Sequence, residues 1–309
     1  MVNKIVVIGS LNMDLVGCAA RIPVVGETIT GHTFLSEPGG KGANQAYAAT
    51  KLGGRVAMIG RVGSDDFGRQ MRANLERAGC DVSGVLTIPD VSSGIALIYV
   101  ADIGQNSIII VPGANGRFSS EDIEAAQEFL AGASWILLQL ENPLPTVLAA
   151  ARAAGRAGAR VILDPAPAQS VPDELFALAD IITPNETEAA ILADFPPAGL
   201  NPDQAQTIAR KLQARGAKTV IVKLGEQGCL LVSPESSQLL SAPSVKAVDT
   251  TAAGDVFNAG LAVGLSEGLD LPSACRFANA AAALSVTKLG AQASAPTRAE
   301  LNDFIQKGA

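Results

Sequence analysis

Asp249-Thr250-Thr251-Ala252-Ala253-Gly254-Asp255-Val256-Phe257 places an acid where a run of small residues opens into a helix. The N-terminus of a helix presents unpaired backbone N–H groups and a partial positive charge. Ala252, Ala253 and Gly254 would let an anion approach that backbone, and Gly254 also tolerates conformations that a Cβ resists. A carboxylate set there to hold an anion would repel it. Asp255 fits better as a base that takes a proton from a hydroxyl attacking the anion, which is the pairing that phosphoryl transfer needs. An Asp in a first helical turn also gains from the dipole with no chemistry at all, so the nonapeptide alone leaves both readings open.

Gly39-Gly40-Lys41-Gly42-Ala43-Asn44-Gln45-Ala46 is a glycine-rich run opening a second helix. It lacks the spacing of a Walker A loop and of a dinucleotide fingerprint. Its glycines would admit a polyhydroxy substrate and could hinge a lid, with Lys41 and Asn44 as donors. Asn12 and Asp14 follow the first strand, Glu141 follows a strand at Trp135–Leu140, and Asp164 follows one at Val161–Leu163. Ligands of open α/β sheets bind beyond the carboxyl ends of strands, so these groups would share one edge.

The elements that must position them alternate. Strands are expected at Ile5–Ile8, Val56–Ile59, Trp135–Leu140, Val161–Leu163, Ile181-Ile182 and Thr219–Leu224. Helices are expected at Ala43–Leu52, Asp66–Ala78, Thr146–Arg156, Gly254–Leu265, Leu271–Thr287 and Thr297–Gln306. Ser119 with Asp122 reads as a capping box for a helix through Leu130, and Asn201-Pro202 as an N-cap with Pro at the first helical position. The pattern predicts an α/β fold: a doubly wound, mostly parallel sheet with helices on both faces. Residues 13–38 and 93–112 break the rhythm and read as hairpin strands. They would form a small β-sheet lid on a single domain spanning 1–309, or mere decoration of it.

Composition excludes several classes. The 309 residues carry a net charge of −7 and no basic cluster, which speaks against nucleic acid as a partner. No apolar run approaches the roughly 20 residues that cross a membrane, and only Lys4 precedes the first short one, so neither a membrane span nor a signal peptide is expected. Cys18, Cys80, Cys229 and Cys275 have no metal-ligand spacing and read as reduced thiols in or near the core, in keeping with a cytoplasmic location. His32 is the only histidine and has no triad context, so a surface or lid-packing role is expected.

The runs GSLNMD (9–14), PGGKGANQA (38–46), GRVGSDDFG (60–68), VPGAN (111–115), LQLENP (138–143), DPAPA (164–168), TPNETEA (183–189), DTTAAGDVFNAGL (249–261) and KLGAQ (288–292) extend from end to end. Together they resemble the ribokinase-like carbohydrate kinase family, GGKGAN with DTxAAGD being its specific pair. The resemblance implies ATP-dependent phosphorylation of D-ribose at its 5-hydroxyl. The alternatives are another sugar or nucleoside, such as deoxyribose, fructose or adenosine, or a catalytically silent sugar-binding protein.

The same resemblance implies roles. Asp255 would be the base, and Ala252, Ala253 and Gly254 the anion hole. Asn12, Asp14, Gly39, Gly40, Lys41, Asn44 and Glu141 would contact the sugar. Asn185 and Glu188 would position Mg2+ and phosphates, largely through water. Lys223, Gly225, Gly228 and Asn279 would line the ATP pocket, with Asn185 and Gly254. K+ or another monovalent cation would sit at Asp249, Thr251, Ser285, Lys288, Gly290 and Ser294, partly on backbone carbonyls. A homodimer through the lid is implied as well. Lys223 stands where close members often have Thr, Asp164 where many have Asn, Asn279 where some have His, and Ala293 where Pro is common.

Overall fold

The computed structural model describes residues 3–196 and 200–308. Its strands are β1 (Lys4–Ile8), β2 (Asn12–Ala19), β3 (Thr33–Gly39), β4 (Arg55–Gly63), β5 (Asp81–Ile88), β6 (Gly94–Ala101), β7 (Asn106–Val111), β8 (Ala133–Leu138), β9 (Arg160–Leu163), β10 (Ile181–Ile182), β11 (Thr219–Lys223), β12 (Cys229–Val232) and β13 (Ser237–Leu240). The helices are α1 (Lys41–Lys51), α2 (Asp66–Ala78), α3 (Ser120–Ala125), α4 (Gln127–Leu130), α5 (Leu144–Arg156), α6 (Asp173–Leu178), α7 (Glu186–Leu192), α8 (Pro202–Ala214), α9 (Ala253–Ser266), α10 (Leu271–Ser285) and α11 (Arg298–Gln306).

Nine strands form the main sheet in the order β13-β12-β11-β10-β9-β8-β1-β4-β5. The pairs from β11 through β5 are parallel, and β12 and β13 join antiparallel at one edge. Alternation along β1 shows why helices cover both faces. Ile5 and Val7 pack with α1, α2, α9, α10 and α11, whereas Val6 and Ile8 pack with α3 and α5 through α8. Both faces are therefore dry, and central strands such as Ile5–Ile8 are apolar throughout.

The second sheet has the order β3-β2-β6-β7 and comes from the two segments that broke the alternation. β2 pairs antiparallel with β3 and parallel with β6, and β6–β7 is a hairpin. His32 joins its two outer turns: Nε2 lies 2.9 Å from Asp102 and Nδ1 3.0 Å from Thr33 Oγ1.

Local signals largely held. Ser119 with Asp122 boxes the start of α3 and Asn201 caps α8 as expected; Thr297 with Glu300 likewise boxes the start of α11, and Gly79 closes α2 in the left-handed region. Two expectations need correction. The helix through Leu130 breaks at Ala126, whose N–H returns to Asp122 and Ile123, giving α3 and α4. The strand expected to reach Leu140 ends at Leu138, because Gln139 turns its side chain to Gln45 and Leu140 N bonds Ala166 O. β5, the β12–β13 hairpin, α6 and α7 were not anticipated. Among the described residues, no helix is long and apolar enough to cross a membrane.

Candidate active site

The parallel strands β1, β8, β9, β10 and β11 end at one edge of the sheet, and the polar residues beyond them converge there with the N-termini of α1 and α9. The turn into α9 has a specific conformation. Ala252 is its N-cap at φ 57°, ψ 11°, a left-handed geometry that costs a residue with a Cβ roughly 1–2 kcal/mol. No side chain caps this helix. The N–H of Ala253 returns to Thr250 O at 3.2 Å. Gly254 and Asp255, in the first turn, have no helical acceptor and point their N–H groups outward, as in an anion-binding nest.

Asp255 is buried, and amides hold both of its oxygens. Gln45 Nε2 donates to Oδ1 at 3.0 Å, and Asn44 Nδ2 to Oδ2 at 3.1 Å. The Gln45 amide also donates to Asp164 Oδ2 at 3.0 Å, so one NH2 group orients two carboxylates. Asn44 in turn accepts from Gln292 of the KLGAQ run. Burial pushes the Asp255 carboxyl up to about 6; Lys41 opposes the rise, Asp164 adds to it, and the two amides lower it. Burial pulls the Lys41 ammonium down, but Asp255, Asp164, Glu141 and Glu188 outweigh it and hold the proton on firmly.

On one side of Asp255 lie the residues expected to meet a sugar. Asn12 and Asp14 occupy one face of β2, opposite Gly39 and Glu37 on β3. The oxygen of Asn12 accepts from Asn115, which also bonds both backbone groups of Leu11, so the Asn12 amide N–H groups are left for a ligand. Glu141 accepts from Ser10 Oγ and from Lys41 N. Burial, then Glu141, Glu37 and Asp255, push the Asp14 carboxyl up to about 7. Gly40 sits at φ 87°, and a Cβ there would come within 2.6 Å of Asn12 N. A Cβ on Gly39 would strike Asp14. The double glycine thus lets α1 start directly against β2.

On the other side of Asp255 opens a cleft of about 1020 Å³, at the large end of small-molecule sites. Ala242, Pro243, Val245, Ala283 and Val286 give it apolar wall, and Lys41, Asp164, Glu188, Lys223 and the α9 turn give it charged and polar wall. Asn185, Gly225, Gly228 and Asn279 line it as well. Asn279 is fixed by its bond to Leu240 O at 2.8 Å, and Gly228, at φ 97°, would drive a Cβ to 2.1 Å from the same oxygen. Asn185 and Glu188 form the capping box of α7, which leaves one Glu188 oxygen free. Burial raises the Glu188 carboxyl, with Lys223 opposing. No cluster of three acids, cysteines or histidines able to hold a metal occurs among the described residues.

Of the positions expected for a monovalent cation, Asp249 directly joins Thr251 and Gly290. Its Oδ1 accepts from Thr251 N and Oγ1, and its Oδ2 from Gly290 N at 2.9 Å. Burial would raise this carboxyl, but those bonds hold it below its usual range. Ser285 and Ser294 are buried and donate to carbonyls three residues back. Lys288 reaches away to Glu300 at 2.7 Å. The donor set is all oxygen with one ionised carboxylate, which fits a hard monovalent cation.

The structure also brings in residues that the motifs did not single out as ligands: Gln45, Asn115, Glu37 and Gln292. Gln45 was visible inside GGKGANQA, and helical spacing places it one turn from Lys41. Asn115 closes the VPGAN run, but its role was not legible there, because its partners are 103 and 104 residues away.

The family description "pfkB family carbohydrate kinase" matches residues 2–298. The chain belongs to the pfkB family of carbohydrate kinases. It is 41% identical to a ribokinase of Haemophilus influenzae, covering 99% of each chain. It is 39% identical to a deoxyribokinase of Salmonella typhi, covering 97% of this chain and 98% of the other. It superimposes on the Arabidopsis thaliana ribokinase complexed with ribose and ATP at a TM-score of 0.90 and 36% identity, covering 99% of both chains.

Proposed function

We propose that the protein transfers the γ-phosphoryl group of ATP to the 5-hydroxyl of D-ribose. One observation carries this reading: a buried carboxylate, Asp255, stands between a polar sugar-sized site and a nucleotide-sized cleft, beside uncapped N–H groups. Asp255 takes the proton of the primary hydroxyl. The hydroxyl oxygen attacks the γ-phosphorus, and the electron pair of the breaking bond leaves with ADP. The N–H groups of Gly254 and Asp255 meet the charge on the phosphoryl oxygens. Asn12, Asp14 and Glu141 hold the sugar hydroxyls and turn the 5-hydroxyl toward Asp255. The apolar wall of the cleft receives the adenine. Mg2+ on the phosphates would neutralise their charge from the side of Asn185 and Glu188. K+ held around Asp249 would stiffen the loop that carries the anion hole.

Two further features support assembly and location. β7 is an edge strand exposed along its whole length, including Ile108, Ile109, Ile110 and Val111, with Phe34 and Leu35 exposed on the opposite edge. Apolar edges of this kind seek a partner, which supports a homodimer through the lid. The thiols of Cys18, Cys80, Cys229 and Cys275 are free, three of them buried, which suits a reducing compartment such as the cytoplasm.

The test is ATP turnover with Mg2+ and K+ against ribose, deoxyribose, fructose and adenosine. Ribose should lead by at least about tenfold in kcat/KM, the lower end of what one differing substrate group supplies. The deoxyribokinase relative favours deoxyribose as the second reading, and a deoxyribose preference would establish it. No turnover with any acceptor would refute the kinase reading.

A further inference from the structure

The cleft offers few positive groups to a ligand as anionic as a nucleoside triphosphate. Among the described residues, Lys41 and Lys223 are its only basic lining residues, against Asp164, Glu186, Glu188, Glu226 and Asp255. Lys41 opens α1, next to the sugar-side carboxylates. Lys223 ends β11, and its Nζ lies 2.9 Å from Asp164 Oδ1, with the two side chains 14% and 2% exposed. The same Nζ is 3.3 Å from where Gly254 would carry a Cβ. The ammonium therefore stands over the uncapped N-terminus of α9. A buried ion pair is a poor device for stability alone, because desolvation consumes most of the attraction. An ammonium has three donors on a rotatable stem, so bonding one Asp164 oxygen leaves others for a second anion.

We propose that Lys223 binds the phosphoryl group during transfer, and that Asp164 is the counterion that parks it beside the anion hole beforehand. This rests on the kinase reading of the same site. An oxygen of the γ-phosphoryl takes one N–H of Lys223 while the N–H groups of Gly254 and Asp255 take the others. As the sugar oxygen bonds to phosphorus, the bond to the ADP oxygen breaks and carries its electron pair away. The hydroxyl proton passes to Asp255. Lys223 meets the negative charge beside the N-terminus of α9. Asp164 is a positioning residue, and its second oxygen is fixed by the same Gln45 amide that fixes Asp255.

Two variants separate this role from a structural one. Lys223→Met should lower kcat by about 10²–10³-fold, the scale of one lost electrostatic donor, while the sugar dissociation constant stays within about threefold. Its melting temperature should also fall, because Asp164 is left buried without its cation. Adding Asp164→Asn should restore the melting temperature and leave kcat low. Recovery of kcat along with stability would overturn the proposal. The unmodified enzyme supplies a second check, the acetylation rate of Lys223 read by peptide mass spectrometry. A non-hydrolysable ATP analogue with Mg2+ should protect Lys223 far more than adenosine does, and equal protection would overturn the proposal too. An unmodified enzyme that phosphorylates no acceptor would refute the kinase reading instead, and the acetylation experiment would still decide whether Lys223 binds the phosphates.

Discussion

Replacing Asp255 by Asn removes the proposed base and almost nothing else. General-base catalysis is typically worth about 10²–10⁴-fold, or about 3–5 kcal/mol of barrier at 1.36 kcal/mol per decade. Stability should change little, because two effects oppose. Ionisation of a buried carboxyl pushed up to about 6 costs the fold roughly 3 kcal/mol at pH 8, and Asn removes that cost. Against this, Asn44 and Gln45 both donate to the Asp255 oxygens, so the new NH2 group must face a donor. Neither amide can flip freely, because Gln45 also bonds Asp164 and Asn44 accepts from Gln292. A frustrated buried donor costs about 1–3 kcal/mol, so the terms nearly cancel. Two assays read the outcome: steady-state kcat at saturating ribose and ATP, and the pH profile of kcat/KM. The base acts deprotonated, so the normal profile should rise with pH through about 6 and then level off. In the variant the rate should collapse and that limb should vanish. A variant within about tenfold of normal kcat that keeps its limb near pH 6 would refute the assignment.

Other expectations are as direct. Asp14→Asn should raise KM for ribose more than KM for ATP; equal losses would remove Asp14 from the sugar site. The folded chain holds the Asp14 proton up to about pH 7 whereas the unfolded chain releases it near 4, so this group's stabilisation is present at low pH and lost as pH rises through that window. The Asn variant should flatten that slope in thermal melts, and an unchanged slope would contradict the burial argument. Exchanging K+ for Na+, or making Asp249→Ala, should lower activity, and equal rates in both salts would dismiss the cation site. Gly40→Ala forces a Cβ against Asn12 N from a left-handed backbone, so it should destabilise by more than about 1 kcal/mol and weaken sugar binding. Ile109→Lys should leave a folded monomer by analytical ultracentrifugation, and a monomeric unmodified protein would refute the lid interface.

Much of this protein was legible along the chain. Alternation of apolar strands and amphipathic helices is a local periodicity, so the doubly wound layout and the capped starts of α3 and α8 followed from residues within a few positions of one another. The same holds for the placement of Asp255 in the uncapped first turn of α9, since a helix N-terminus and its small residues are neighbours in sequence. Short elements escaped. β12, β13 and α7 carry too few residues for a period to show, and they exist because β11 offers an edge and the cleft needs a wall. Only the tertiary structure decided the electrostatics. Asp164 and Lys223 lie 59 residues apart, and Gln45 reaches Asp255 across 210. Burial and partners then set each carboxyl, raising Asp14 and Asp255 while holding Asp249 low. Charge interactions depend on distance and on the surrounding dielectric, and neither is a property of position along the chain.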